Sequence, residues 1–212
     1  MASQGVQMLG AIAAIMGWLG AMITCGLPQW RVTAFIGSNI VTAQFVWEGI
    51  WMTCVVQSTG QMQCKIYDSV LALGSDLQAA RAMIILCILF GTCGLFAAIA
   101  GGKCTNCIRD PHSKAWACIS AGILFIIAGL MCLIPVSWAA NTIISDFYNP
   151  LIVESQRREL GTSLYIGWAS AGLLLMGGGL LCWNCPPKEK LQIYNPKFSL
   201  VRSTTTTSRE YV

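Results

Sequence analysis

Histidine occurs once, at His112, and Asp, Glu, Lys and Arg together make up only 10% of the 212 residues. So few titratable side chains leave little from which to assemble an acid, a base, a nucleophile or a metal set, and no convergent set of that kind is visible. An enzyme is therefore not expected, and no catalytic residue, metal ligand, cofactor or nucleic-acid partner is assigned. The N-x-[ST] glycosylation sequon is also missing, because Asn39, Asn141 and Asn149 are followed by the wrong residues. A more local absence says most. Four stretches contain no Asp, Glu, Lys, Arg or His: Met8 to Leu27, Ala82 to Gly102, Trp116 to Trp138 and Thr162 to Trp183. They lack the usual marks of an ion pathway, a proton relay or a voltage sensor running through a helix bundle, so function is expected outside the bilayer.

What the chain does have is apolar surface. With 55% apolar residues and a mean hydropathy of +0.63, it reads as an integral membrane protein. At about 1.5 Å of rise per residue, each charge-free stretch can cross a hydrocarbon core of about 30 Å as a helix. The first stretch lacks a basic n-region and is longer than a signal core, so it reads as a span rather than a cleaved leader. The expected order is a cytosolic N-terminus (1–7), a first span (8–27), a first outer loop (28–81), a second span (82–102), a cytosolic loop (103–115), a third span (116–138), a second outer loop (139–161), a fourth span (162–183) and a cytosolic tail (184–212). With both termini inside, the cytosolic segments hold Lys103, Arg109, Lys114, Lys188, Lys190, Lys197, Arg202 and Arg209 against Asp110, Glu189 and Glu210, while acids outnumber bases outside. This is the orientation that the positive-inside rule favours. Small residues along the spans, among them Gly17, Gly20, Gly91, Gly94, Gly122, Gly129 and Gly177 to Gly179, suit close packing within one bundle or between protomers.

Cys54 and Cys64 then lie on the oxidising side, where a bridge between them would close a hairpin around Ser58-Thr59-Gly60. The flanks, Arg31 to Ile36 and Ile40 to Val56, are rich in Val, Ile, Thr, Phe and Trp, which is strand composition. The fold class expected is a mostly α membrane protein: a left-handed four-helix transmembrane bundle carrying a small extracellular antiparallel β-sheet formed by the two outer loops. A bridge on that sheet would staple an element with too little core of its own. Ser69 to Arg81 places Val70, Leu71, Leu73, Leu77 and Ala80 much like one face of a helix leading into the second span.

On the cytosolic side, Cys104 and Cys107 follow the second span and Cys182 and Cys185 end the fourth. Paired C-x-x-C motifs can hold zinc, but juxtamembrane cysteines beside basic residues are the usual sites of S-palmitoylation, and acylation is the reading preferred over zinc or inert thiols. The tail beyond Pro186-Pro187 is polar and of low complexity, and it ends in Tyr211-Val212, an apolar residue with a free carboxylate of the kind a PDZ groove captures.

Trp30, then Gly49-Ile50-Trp51, then Cys54 and Cys64, with Arg81 at the mouth of the second span, resembles the first-loop signature of the claudin family. The resemblance covers the whole chain, including Asp146-Phe147-Tyr148-Asn149-Pro150 in the second loop, and Arg31 to Ala82 is most similar to the claudin-three and claudin-four branch. It implies a tight-junction protein of the plasma membrane, with both termini cytosolic. Such a protein polymerises with itself and other claudins in cis and in trans, seals the paracellular space and sets its ion selectivity. PDZ scaffolds of the junctional plaque and membrane lipid are further partners it implies.

The resemblance also implies that the position beside the second cysteine lines the paracellular pore, where an acid favours cations. Here it is Lys65, held in place by the bridge and with Asp68 three residues on, so a cation barrier with some anion preference is expected. The plainer alternative is a solvated lysine paired with Asp68 or Glu48. Val70, Leu71, Leu73, Phe147 and Tyr148 are the residues expected in cis or trans contacts, or in packing against the chain's own sheet. Asn149-Pro150-Leu151 is the loop to which a Clostridium-type enterotoxin would bind, although the following Ile152-Val153-Glu154 departs from that branch. Ile50 stands where the family usually has Leu. The competing identity is a four-span accessory subunit or adhesion protein of the wider superfamily, whose relatives often carry the sequon that this chain lacks.

Overall fold

The computed structural model describes residues 4–36, 43–57, 60–69, 73–102, 110–148 and 158–184. The charge-free stretches form four helices, each long and apolar enough to cross a membrane: α1 (Gln4–Gly26), α2 (Ser75–Gly101), α3 (Pro111–Tyr148) and α4 (Thr162–Asn184). The broadest packing is of α1 on α4, α2 on α3 and α3 on α4. Between them lies a core that includes Ala14, Ile84, Phe125, Val136, Leu164 and Leu174.

Most of the small residues face this interior. A Cβ on Gly17 would sit 2.8 Å from the Leu174 nitrogen, and one on Gly177 would sit 2.7 Å from the Ala14 nitrogen, so α1 and α4 approach backbone to backbone. Gly172 and Gly179 face open space instead. Several hydroxyls in these helices bond locally: Thr24 Oγ1 donates to the Gly20 carbonyl and Ser170 Oγ to the Ile166 carbonyl. Such back-bonds let hydroxyls remain in the hydrocarbon region without a distant partner.

α3 outlasts the stretch that marked its span. Its 38 residues reach about 57 Å at about 1.5 Å per residue, well beyond a core of about 30 Å. It continues past Trp138 because Val136, Ala139, Ala140 and Ile143 keep one face buried at helical spacing. The second outer loop thus begins as a projecting helix.

Beside that projection lies the outer sheet, made of β1 (Arg31–Ile36), β2 (Ala43–Glu48), β3 (Met52–Val56), β4 (Met62–Ile66) and β5 (Arg158–Leu160). The order is β4-β3-β2-β1-β5 and every pairing is antiparallel. The first loop supplies a four-strand meander and the second loop adds its outer strand, as expected of a sheet formed by both loops. The hairpin between β3 and β4 turns on Gly60, whose φ of +79° suits a residue without a Cβ. Strand composition also extended over Gly49 to Trp51, but this segment is the turn between β2 and β3.

Candidate functional site: the charged face of the outer sheet

Directly opposed residues on neighbouring antiparallel strands point to the same face. Lys65 opposes Thr53, Thr53 opposes Glu48, Glu48 opposes Arg31 and Arg31 opposes Leu160. One transverse row of a single face therefore reads Lys65, Thr53, Glu48, Arg31, Leu160. The adjacent row, Cys64, Cys54, Trp47 and Val32, points the other way. Cys54 and Cys64 form the disulfide, so the bridge holds β3 to β4 from one face while Lys65 projects from the other.

Along the row, burial rises from the sheet edge toward the helices. Lys65 and Asp68 form an exposed ion pair at 2.8 Å, with side chains 79% and 81% accessible. The hydrogen bond to the Asp68 carboxylate, and then its charge, push the Lys65 ammonium above the ordinary lysine range, so it stays charged at neutral pH. Arg31, at the other end, is buried, and its guanidinium engages Asp76 in the first turn of α2. Its Nε has no hydrogen-bond partner among the described residues. Between this face and the helices lies a polar cavity of about 400 Å³ lined by Arg31, Glu48, Thr53, Tyr67, Leu73, Gly74, Asp76, Leu77, Thr142 and Arg158. Thr53 Oγ1 donates to the Tyr67 hydroxyl, which donates to the Gly49 carbonyl.

The signature residues attach this sheet to the bundle. Trp30 is fully buried and its Nε1 donates to the Thr24 carbonyl at 3.0 Å, closing the exit of α1. Gly49 lies against Pro28, where a Cβ would come within 2.5 Å of the Pro28 Cα. Ile50 is fully buried, and its carbonyl accepts from Arg81 Nε at 2.8 Å and from a second guanidinium nitrogen of Arg81. The same guanidinium lies over the Trp51 ring at 4.6 Å, and Trp51 Nε1 donates to Cys25 Sγ.

On the other side of β5 is an apolar groove of about 450 Å³ lined by Ile143, Ile144, Phe147, Tyr148, Arg158, Glu159, Leu160 and Tyr165. Phe147 and Tyr148 meet edge to face at 5.7 Å, and Tyr148 is 78% exposed at the tip of α3.

A model of the PMP-22/EMP/MP20/Claudin family matches residues 4–181. Claudin-4 of Bos taurus is 60% identical over 203 residues, 96% of this chain and 97% of that protein. Claudin-3 of Homo sapiens is 60% identical over 188 residues, 89% of this chain and 86% of that protein. Claudin-like protein ZF-A89 of Danio rerio is 58% identical over 203 residues, with 96% and 97% covered. The chain belongs to the claudin family.

In this claudin, the structure describes some of the residues expected in contacts or modification and leaves others outside. Leu73 is buried in the chain's own core and lines the polar cavity. Cys182, half-buried near the end of α4, donates its thiol to the Ile119 carbonyl at 3.8 Å. Val70, Leu71, Asn149, Pro150, Leu151, Cys104, Cys107, Cys185, Tyr211 and Val212 lie outside the described residues. Arg31, Asp76, Arg158 and Leu160 were not singled out from sequence, and only strand register brings them to the site.

The bridge makes a first prediction. β4 is an edge strand with every residue exposed, and among the described residues β3 is its only strand neighbour. Losing a short loop closure of this kind costs about 2 to 3 kcal/mol. Cys54→Ser should lower the thermal midpoint of the detergent-purified protein, and a dithiothreitol titration should lower that of the wild type to match. Equal midpoints would mean that strand pairing alone holds β4.

Proposed function

We propose that this claudin is a tight-junction strand protein of the plasma membrane. It associates with itself and with other claudins, side by side and across the intercellular gap, and the charged face of its outer sheet lines that gap as a cation barrier with some anion preference. The observation that carries this reading is the register that aligns Lys65, Thr53, Glu48 and Arg31 on the face opposite the disulfide. A fixed ammonium on a rigid sheet repels cations within a Debye length of about 8 Å. Its pairing with Asp68 does not cancel it, since an exposed pair of this kind is weak and readily exchanged for water.

The apolar groove beside Phe147 and Tyr148 suits self-association, because aromatic side chains at a concave apolar surface supply contact area at low entropic cost. By family resemblance, Cys104, Cys107, Cys182 and Cys185 are acylated, Tyr211-Val212 binds PDZ scaffolds of the plaque, and Asn149-Pro150-Leu151 offers a Clostridium-type enterotoxin its site.

The test is the dilution potential and electrical resistance of an epithelial monolayer lacking its own claudins. Wild type should raise resistance and hold sodium permeability low. Lys65→Asp, a change of two charge units, should raise the sodium-to-chloride permeability ratio by about two- to fivefold. A ratio indifferent to Lys65 would leave a seal without a charged lining. No change in resistance, despite delivery to cell contacts, would overturn the sealing role.

A further inference from the structure

Arg158 lines both cavities, the polar one beneath the charged face and the apolar groove beside α3. It opposes Thr33 on β1 and so shares the face of Arg31, which lies two residues away along the same strand. We propose that Arg158 is a second selectivity residue: its charge offsets Glu48 and so keeps the polar cavity from attracting cations. The inference rests on the reading of this face as the lining of the paracellular path.

The charges of the cavity leave Glu48 as the one to be offset. Arg31 is occupied by Asp76, and this partly buried pair adds no net charge. Thr53 and Tyr67 satisfy each other and the Gly49 carbonyl. Glu48 stands between Thr53 and Arg31 in the row, yet its carboxylate has no ion-pair or hydrogen-bond partner among the described residues, because the Arg31 guanidinium is turned to Asp76. Left alone, a carboxylate there gives the path a cation site that Lys65, two strands away at the exposed edge and not part of the cavity lining, does not cover.

Arg158 is the remaining cation of the lining, and it is held loosely. It lies 3.6 Å from Asp146, with both side chains more than one-third exposed. Charge-assisted bonds usually span about 2.7 to 2.9 Å, so this contact neither fixes the guanidinium nor neutralises it fully. Asp146 does not line the polar cavity, and on the groove side the neighbouring acid is Glu159. The field of Arg158 therefore acts within the cavity that Glu48 lines. Sequence position conceals this, since the two residues come from different outer loops.

The experiment measures the sodium-to-chloride permeability ratio in the same claudin-free monolayer, with strand formation at cell contacts matched among variants. Arg158→Gln should raise the ratio about two- to threefold, the effect of one unit charge at about a Debye length. Arg158→Lys should restore the low ratio, and Arg158→Gln combined with Glu48→Gln should return it to the wild-type value. Asp146→Asn releases Arg158 from its outer partner and should lower the ratio, which also tests the idea if Arg158→Gln fails to reach the surface. Lys65→Asp is run in parallel. If it moves the ratio and Arg158→Gln does not, the inference fails while the lining stands. If neither moves it, the lining itself is wrong. A shift from Arg158→Gln that persists after Glu48→Gln would overturn the charge argument in favour of a purely structural role.

Discussion

Arg81→Ala should release the turn between β2 and β3 from the bundle, lowering stability by about 2 to 4 kcal/mol and with it delivery to the cell surface. Two guanidinium nitrogens converge on the buried Ile50 carbonyl, and hydrogen bonds to charged groups contribute about 1.5 to 3 kcal/mol. The cation over the Trp51 ring adds about 0.5 to 1 kcal/mol at a site this accessible. Removing the side chain also leaves the Ile50 carbonyl without these donors beneath the sheet, at a place that water reaches poorly because Ile50 is fully buried. Trp51 donates to Cys25 on α1 while Arg81 stands on α2, so the turn is fastened to two helices at once. Arg81→Lys keeps the charge above the ring but cannot reproduce the forked contact, so it should recover part of the loss. Thermal unfolding of the detergent-purified protein and surface biotinylation would measure both variants. Wild-type midpoints for Arg81→Ala would mean that burial of Trp30 and Ile50 holds the sheet without it.

How much of this was legible in the sequence follows from the range of the forces involved. A membrane span is a local property, since hydrocarbon excludes charge wherever it occurs, and the four charge-free stretches mark the four helices. Strand composition is local too, so the first loop read as a sheet before any pairing was known. Register is not local. The meeting of Arg158 with Thr33 joins residues from two loops, and the pairing of Arg31 with Asp76 joins a strand to a helix start. Each looks like an ordinary loop charge when read alone. Leu73 shows the same limit from the apolar side: a leucine leading into a span can face a partner or its own core, and only the fold shows that it lines the polar cavity. The end of α3 was open to a closer reading, since the spacing of Val136, Ala139, Ala140 and Ile143 continues the helix beyond the point where polar residues appear.

Gly161→Ala should be more damaging still, because it strikes a place where both outer loops and two spans meet. Gly161 donates its N–H to the Trp30 carbonyl, and two residues on Ser163 donates to the Gln29 carbonyl, so the start of α4 is laid against the chain that leaves α1. A Cβ on Gly161 would lie 1.9 Å from the Gln29 oxygen, 2.5 Å from the Gln29 carbonyl carbon and 2.9 Å from the Trp30 carbonyl carbon. These are all backbone atoms, and that backbone is pinned by the buried Trp30, so no side chain can swing aside. Relief requires β5 and the first turn of α4 to lift away from β1, breaking the pairing that places Arg158 and Leu160. A loss of about 4 kcal/mol or more is expected, in the range reserved for backbone clashes and broken networks. The control is Gly172→Ala, which meets nothing within 4 Å on the outer side of α4 and should be neutral or slightly stabilising, since Ala exceeds Gly in helix propensity by about 1 kcal/mol. Both substitutions add one methyl group at or near α4, so a large difference in their thermal midpoints isolates the contact at the junction. Near-equal midpoints would show that the Gln29 to Trp30 backbone can yield. The second loop would then be docked by side chains, and Leu160 would become the residue to change next.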